Sequence, residues 1–332
     1  MARRKKSDKT NFRMSTSGKR PYRRQVKRHS ASRSSAKEKK RKTKGIGGFG
    51  TVVISLAILF CLMIYGSNRG SRHNSADKTL TVHYIDVGQG DCICITCGGE
   101  TMLIDCGEAS EAETVRHYLN HSEIEAFDFV IATHPHSDHM GGMAEIVESY
   151  DIGEFIMPSF ADEDVPSTRY FEKFLDAAEE KELKVAPAVT GRKGKLGDAE
   201  WEIIAPVSDE YSNTNNYSVG IILYHGENSF IFTGDAEASA EEEMVNEGRF
   251  GHIDVYKAGH HGSKTSSSEL FLDTISPDIA VISCGEGNSY GHPNKETLDR
   301  IGQYTDKIYR TDLCGSVVII SDGKELEVRC ER

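Results

Sequence analysis

The alternation of apolar and polar positions predicts a folded region at 80–332 in which strands and helices alternate. Its strands are short apolar runs that end in polar or glycine-containing loops. Predicted strands lie at 80–86, 92–97, 101–105, 127–132, 154–157, 201–206, 219–224, 229–233, 253–257, 279–284, near 308, 317–320 and 325–330. Predicted helices lie at 111–120, 142–149, 167–182, 238–246, 267–275 and 295–304. Two sheets packed face to face with helices outside, an αββα sandwich of the α/β class, accommodate this order best.

The amino-terminal pattern is different and predicts a membrane anchor. Residues 1–44 hold 19 of the 40 lysine and arginine residues and few apolar ones, so we expect 1–45 to be a disordered basic tail. No charged residue occurs at 45–68, and 46–66 has about the 20 apolar residues that a transmembrane helix needs. The positive-inside rule then predicts a cytoplasmic tail, a single span, a linker at 67–79 and a domain outside the cell. A cleaved signal peptide is the weaker alternative, because some 44 residues precede the apolar run.

Charge and cysteine content limit the function classes. Only 2 of the 51 acidic residues lie in the tail, so the remainder carries 21 basic against 49 acidic residues, a net charge of −28. Such a surface opposes binding of long nucleic acid along a groove, although the tail itself could contact nucleic acid or anionic lipid. Seven of the eight cysteines lie outside the predicted span, and this odd number favours buried free thiols, with one disulfide left open.

The densest chemistry of the chain lies in the sequence His134-Pro-His136-Ser-Asp138-His139, directly after a predicted strand. Imidazole and carboxylate are ligands that zinc favours. Extended spacing would direct His134 and His136 at one ion. Asp138 and His139 could then turn towards a second ion about 3.5–4 Å away, as in two-metal hydrolases. The sequence therefore predicts a metal site here.

Further candidate residues follow other predicted strands. Asp105 ends a strand before a glycine turn, Asp235 ends one directly after a glycine, and an Asp235 carboxylate could bridge two cations. His260 and His261 are adjacent, so in extended chain one should reach a metal and the other the substrate or an outer partner. We favour His260 as the ligand, with His261 as the alternative. His292 could protonate a leaving group or hold a phosphate.

In their order along the chain, these motifs resemble the metallo-β-lactamase superfamily, and more narrowly the carboxyl-terminal domain of the ComEC/Rec2 competence proteins. The motifs are Asp86-Val-Gly-Gln-Gly-Asp91, Leu103-Ile-Asp-Cys-Gly107, the histidine cluster, Asn215-Asn-Tyr-Ser218, Thr233-Gly-Asp235, His260-His-Gly-Ser263, Gly291-His-Pro293 and Arg310-Thr-Asp312. The resemblance covers essentially 80–332. The pore and the many membrane spans of those proteins are missing here, so we expect a tethered domain.

The resemblance implies a binuclear hydrolase with two Zn²⁺ ions, or Mn²⁺. His134 and His136 would hold one ion, Asp138, His139 and His260 the other, and Asp235 would bridge them. The third histidine of the first site is not evident, and 215–218 stands in its region. Asp86, Asp91 and Asp105 would support the loops beneath the site.

We expect an extracytoplasmic phosphodiesterase, with DNA as the preferred substrate hypothesis. The candidates for catalysis are Asp138, His261, His292 and Lys257, and those for substrate binding are Asn215, Ser218, Ser263 and Ser266. One rival is a hydrolase of cell-envelope phosphodiesters or other small substrates, which need no basic groove. Another is a non-catalytic, metal-stabilised module that docks on a DNA-uptake or envelope assembly. Protein partners are not predicted.

Overall fold

The computed structural model describes residues 78–160 and 165–332. The predicted tail at 1–45 and the predicted membrane span at 46–66 lie outside these residues, as does the linker except for its last two positions. Among the helices of the described residues, none is both long enough and apolar enough to cross a bilayer.

Eight strands form the first sheet, in the order β15-β14-β1-β2-β3-β4-β5-β6. Pairing is antiparallel from β15 to β3 and parallel from β3 to β6. The strands are β1 (Leu80–Tyr84), β2 (Ile93–Cys97), β3 (Glu100–Ile104), β4 (Ala126–Ile131), β5 (Asp151–Met157), β6 (Val185–Pro187), β14 (Val317–Ser321) and β15 (Leu326–Cys330).

Seven strands form the second sheet, in the order β13-β12-β11-β10-β9-β8-β7. Pairing is antiparallel from β7 to β10 and parallel from β10 to β13. The strands are β7 (Lys193–Leu196), β8 (Ala199–Ala205), β9 (Gly220–His225), β10 (Asn228–Phe232), β11 (Val255–Lys257), β12 (Ile279–Ile282) and β13 (Ile308–Arg310).

Helices cover the outer face of each sheet. Buried side chains of α1, α3 and α4 pack on the first sheet, and those of α5, α6 and α7 pack on the second. The helices are α1 (Ala112–His121), α2 (Ser137–Met140), α3 (Met143–Ser149), α4 (Arg169–Glu180), α5 (Ala238–Glu247), α6 (Glu269–Ile275), α7 (Lys295–Ile301) and α8 (Thr311–Cys314). Short 3₁₀ turns lie at Ala109–Glu111, Thr214–Tyr217 and Gly259–Gly262.

The central core lies between the sheets and follows from the period of two in the strands. In β1, Leu80, Val82 and Tyr84 are fully buried in this layer, whereas the intervening residues are only half-buried. Trp201 and Phe230 enter the same layer from the second sheet. Each such side chain stabilises the fold by roughly 1.5–3 kcal/mol through burial. The predicted αββα sandwich is therefore confirmed.

Most predicted elements are confirmed to within a few residues, and the differences are local. The strands β6 and β7 were not predicted, because β6 has three residues and β7 is an edge strand of sequence Lys-Gly-Lys-Leu without β-forming side chains. The predicted loop of the histidine cluster contains the single turn α2. The histidine pair lies in a 3₁₀ turn instead of extended chain.

Loops that follow the carboxyl ends of the parallel strands carry most of the candidate site residues. Strands β3 and β4 lead into the loops of Asp105 and His134, and β10 and β11 lead into those of Asp235 and His260. Strand ends that point the same way bring their loops to one edge of a sheet, which is where layered α/β proteins place functional residues.

Candidate metal centre

The histidine cluster places its imidazoles on one side of the loop that follows β4. The chain bends at His134 and Pro135 after β4, and His134 Nε2 lies 3.0 Å from His136 Nδ1. At His136 the backbone is extended, and α2 begins at the next residue. This turn brings Asp138 and His139 close to His261.

Asp235 lies between two groups of imidazoles. His134 and His136 form the first group, and His139 and His261 form the second. Its Oδ2 atom is 3.8 Å from His134 Nε2 and 3.5 Å from His260 Nε2. Its Oδ1 atom is 3.1 Å from His139 Nε2 and 3.6 Å from His261 Nε2. These distances show that each carboxylate oxygen faces a different group of imidazoles. The side chain is also buried.

His261, and not His260, lies deepest in the second group. Both residues adopt left-handed backbone conformations, with φ values of 49° and 54°, so the expectation from extended chain does not apply. His261 is fully buried, and its Nε2 atom lies 3.2 Å from both His139 Nε2 and Asp138 Oδ2. His260 is partly exposed on the cavity wall near Asp235. Left-handed non-glycine residues cost energy and concentrate at functional sites.

Outer carboxylates orient the buried histidines from behind. Asp105 Oδ2 lies 2.7 Å from His139 Nδ1, and the same carboxylate accepts hydrogen bonds from the backbone and hydroxyl of Thr133. Asp91 Oδ1 lies 3.2 Å from His261 Nδ1, and the Ser283 carbonyl lies 3.1 Å from the same nitrogen. Such partners fix which ring nitrogen faces a metal.

The loop before β2 lies directly against the histidine cluster. Gly90 has a φ of +146°, and a Cβ atom at this position would lie 2.4 Å from the carbonyl oxygen of Asp138. The backbone N–H of Asp91 donates to that carbonyl at 3.1 Å. Asp86 lies farther out, where it accepts from the Gly88 backbone and pairs with Arg332. The glycine thus allows the close approach that places Asp91 behind His261.

Lys257 does not reach the cavity, contrary to its expected contact with substrate. Its side chain is 1% exposed, and its Nζ atom lies 2.9 Å from both oxygens of Asp91. It also donates to the carbonyl of Ala258 at 3.0 Å. A buried ammonium needs a partner of opposite charge. Lys257 therefore pairs with Asp91 and holds the Asp91 carboxylate in position.

The four residues predicted to bind substrate do not line the cavity either. Ser218 Oγ accepts from the Asp235 backbone N–H at 3.0 Å, and Ser266 Oγ donates to the Ala236 carbonyl at 2.7 Å. Asn215 Nδ2 donates to Glu237, and Ser263 Oγ bonds with the Thr265 hydroxyl. All four side chains are buried, and their hydrogen bonds hold the loops around Asp235 in place.

The cavity at the site has a volume of about 330 Å³. His292, which is predicted to face the substrate, is one of the residues that line it. Burial and the neighbouring His260 and His261 lower the pKa of His292 to about 4, so its ring is neutral at pH 7. The lining residues are Gln89, His136, Ser137, Asp138, Tyr170, Asp235, His260, His261, Tyr290 and His292.

Sequence reasoning missed several of these lining residues. Gln89 lies inside the quoted Asp86–Asp91 motif, and Tyr290 directly precedes the quoted Gly-His-Pro motif, so both had a signal. Tyr170 comes from α4, and nothing in its neighbourhood marks it as a site residue.

The charges of the site stabilise one another. Burial disfavours protonation of His139, but Asp235, Asp105 and Asp138 outweigh it and raise the pKa of His139 well above its usual value. Burial likewise disfavours ionisation of Asp235, but His139 and His261 hold its pKa well below the usual range. Burial keeps the pKa of His134 low, and its ring is therefore the neutral form that binds metals. These buried carboxylates demand positive charge nearby.

The donor set fits divalent metal ions. Zinc–nitrogen bonds of about 2.0–2.1 Å place the ligand atoms of a tetrahedral ion about 3.3 Å apart, close to the 3.0–3.8 Å distances from His134 to His136 and Asp235. Ligand atoms of His139, Asp235, His261 and Asp91 also lie within 4.8 Å of one another. Asp235 Oδ1 is buried and makes no well-aligned hydrogen bond, although His139 Nε2 lies 3.1 Å away, and a cation would supply the missing partner. The site therefore implies the use of divalent metals.

The chain belongs to the metallo-β-lactamase superfamily, whose family model matches residues 85–286. Members of this superfamily are usually metal-dependent hydrolases. The metallo-beta-lactamase fold protein YhfI from Bacillus subtilis has a TM-score of 0.50 at 12% identity, with 74% of this chain and 100% of that chain covered, and it shows the shared fold alone.

Within the superfamily, the chain is similar to competence proteins. It is 28% identical to ComE operon protein 3 of Bacillus subtilis, over 80% of this chain and 35% of that protein. It is 31% identical to Recombination protein 2 of Haemophilus influenzae, over 76% of this chain and 30% of that protein. The predicted resemblance to the ComEC/Rec2 proteins is confirmed, and the chain spans about a third of the length of these relatives.

Proposed function

We propose that the chain is a membrane-anchored hydrolase that uses two metal ions to cleave phosphodiester bonds of DNA outside the cytoplasm. The observation that carries the proposal is the buried Asp235 carboxylate, with one oxygen towards each of two groups of imidazoles. Two cations held on either side of such a carboxylate would stabilise the attacking and leaving oxygens of an in-line displacement at phosphorus.

The proposed ligands follow from the distances. His134 and His136 would hold the first ion, Asp138, His139 and His261 the second, and Asp235 both. Zinc suits this set of nitrogen and oxygen donors, and manganese is the alternative. His261 replaces His260 of the sequence prediction, because its Nε2 atom is the one that meets His139 and Asp138. His260 remains beside the first group, within 3.5 Å of Asp235.

The ions would supply Lewis-acid charge and lower the pKa of water to near 7. The protein contributes fixed groups on the cavity wall. Asp138 is only partly buried there, so its carboxylate can orient a water for attack. His292 is neutral at pH 7, which favours a hydrogen bond to a phosphate oxygen over protonation of the leaving group. Lys257 acts only through Asp91 and His261.

The anchor belongs to the same proposal. A basic tail at 1–45, a span at 46–66 and a linker at 67–79 would tether the domain at 80–332 to the outer face of the membrane. Similarity to competence proteins supports DNA as the substrate. Protease added to intact cells should remove the domain and leave the tail; a protected domain would contradict this topology.

A second candidate is hydrolysis of a small phosphodiester of the cell envelope. It is favoured by the size of the cavity, about 330 Å³, and by the net charge of −28 outside the tail. A small substrate needs no basic groove, whereas long DNA usually does.

One experiment separates these candidates. The full-length chain in detergent is loaded with Zn²⁺ or Mn²⁺ and incubated with linear single- and double-stranded DNA. His136→Ala is compared with His121→Ala, an exposed histidine at the end of α1. We expect cleavage that only His136→Ala abolishes. Intact DNA with two bound metals would assign the site to a small phosphodiester, and absence of bound metal would contradict both candidates.

A further inference from the structure

Tyr290 is an exposed aromatic side chain at the metal centre. It is 68% exposed, and no other large hydrophobic side chain among the described residues is more exposed. Its ring lies on the wall of the same cavity as His136, Asp138 and Asp235. An aromatic ring left in water beside a polar site has no role in the core, and a ligand that covers it would gain binding energy.

The turn that carries Tyr290 is held in a fixed conformation. Asn288 Oδ1 accepts from the backbone N–H groups of Tyr290 and His292, at 3.2 and 3.0 Å. The amide of Asn288 also donates to the carbonyls of Gly285 and His292. Gln89 Oε1 in turn accepts from the Gly285 backbone, which ties this turn to the loop beneath the metal centre. The ring is therefore presented at a set position, which lowers the entropy lost on binding.

Tyr290 and His292 form an aromatic pair. Their ring centroids lie 5.7 Å apart and their planes differ by 23°. Both residues line the cavity, so their two nearly parallel rings offer a flat surface there. We call these two residues the aromatic platform.

The rest of the cavity wall offers no lysine or arginine side chain. None of its ten lining residues is a lysine or arginine, and the chain outside the tail is strongly acidic. Contacts of lysine or arginine with phosphates, which normally supply the affinity for nucleic acid, are thus missing at the cavity wall. Base stacking does not depend on charge and could supply affinity that such contacts would otherwise give.

We propose that the aromatic platform is a binding subsite for one unpaired nucleobase next to the phosphodiester that is cleaved. This inference rests on the proposed function and narrows its substrate to single strands or frayed ends. A base inside a duplex is already stacked on its neighbours, and exposing it costs energy. The cavity of about 330 Å³ lies at the lower end of ligand-pocket sizes, which suits a single monomer unit better than a duplex.

The test compares three 4-nitrophenyl phosphodiesters with the metal-loaded full-length chain. One carries thymidine on its 5′ oxygen, one the same sugar without a base, and one a methyl group, so the leaving group is constant. We expect Tyr290→Ala to lower kcat/KM for the thymidine ester roughly 5- to 150-fold, the loss of one stacked base. The abasic and methyl esters should change less than twofold, and Tyr290→Phe should retain the thymidine rate.

A binding assay removes the dependence on turnover. Fluorescence anisotropy measures the affinity for a short oligothymidylate and for its abasic counterpart, and Tyr290→Ala should weaken only the former. Equal losses with and without a base, or no loss, would overturn the stacking subsite even if the methyl ester is hydrolysed. Failure to hydrolyse any ester, with base-dependent binding intact, would instead refute the proposed hydrolase activity.

Discussion

Replacing Lys257 with methionine tests whether the buried pair with Asp91 positions the metal centre. Both side chains are at most 2% exposed, and the Nζ atom lies 2.9 Å from each carboxylate oxygen. Removing one partner of a buried ion pair costs about 3–5 kcal/mol, because the other charge stays buried without compensation. For a domain of this size, that loss lowers Tm by roughly 6–20 °C.

Thermal and urea unfolding of the metal-free full-length chain measures this loss. Lys264→Met is the matched control, because Lys264 is an exposed lysine in the neighbouring loop and should leave Tm within about 2 °C. The double variant Asp91→Asn with Lys257→Met should recover part of the loss, since neither charge then remains. Unchanged stability together with reduced turnover would refute the buried pair and favour a direct contact between Lys257 and the substrate.

Three further predictions concern Asp105, Glu241 and the dependence of substrate binding on salt. Asp105→Asn should weaken zinc affinity about 10- to 100-fold in a chelator competition, because Asp105 orients His139; unchanged affinity would remove that role. Burial raises the pKa of Glu241, so the native state holds its proton more tightly than the unfolded state does, and this contribution to stability is lost as the pH rises. The advantage of wild type over Glu241→Gln in urea unfolding should therefore be larger at pH 5 than at pH 8, and the opposite order would contradict the shift. Finally, a plot of log KM for oligothymidylate against log salt should have a slope below about 1.4. Each phosphate contact with a single strand contributes about 0.7, and we expect fewer than two such contacts. A steeper slope would indicate basic contacts outside the cavity.

Much of the fold could be predicted because its signals are local. The period of two in β1 and the apolar runs at β4 and β12 identify strands without any tertiary information. The edge strand β7 could not be predicted, because its pairing with β8 stabilises a sequence with little strand propensity of its own.

The candidate site was predictable in composition but not in orientation. The density of histidine and aspartate from His134 to His139 is enough to predict a metal site. The choice between His260 and His261 depends on two left-handed residues that the sequence does not signal. The role of Lys257 depends on Asp91, which lies 166 residues away along the chain. Such pairings arise from the packing of two sheets and cannot be read from spacing.

The number of metal ions bound per chain is the measurement that decides whether Asp235 lies in a two-metal centre. The full-length chain is dialysed to equilibrium against Zn²⁺, and bound zinc is measured by elemental analysis for wild type, His136→Ala and His139→Ala. We expect two ions in wild type and one in each variant, because His136 and His139 belong to different groups around Asp235. A single ion in wild type, lost in both variants alike, would contradict a two-metal centre.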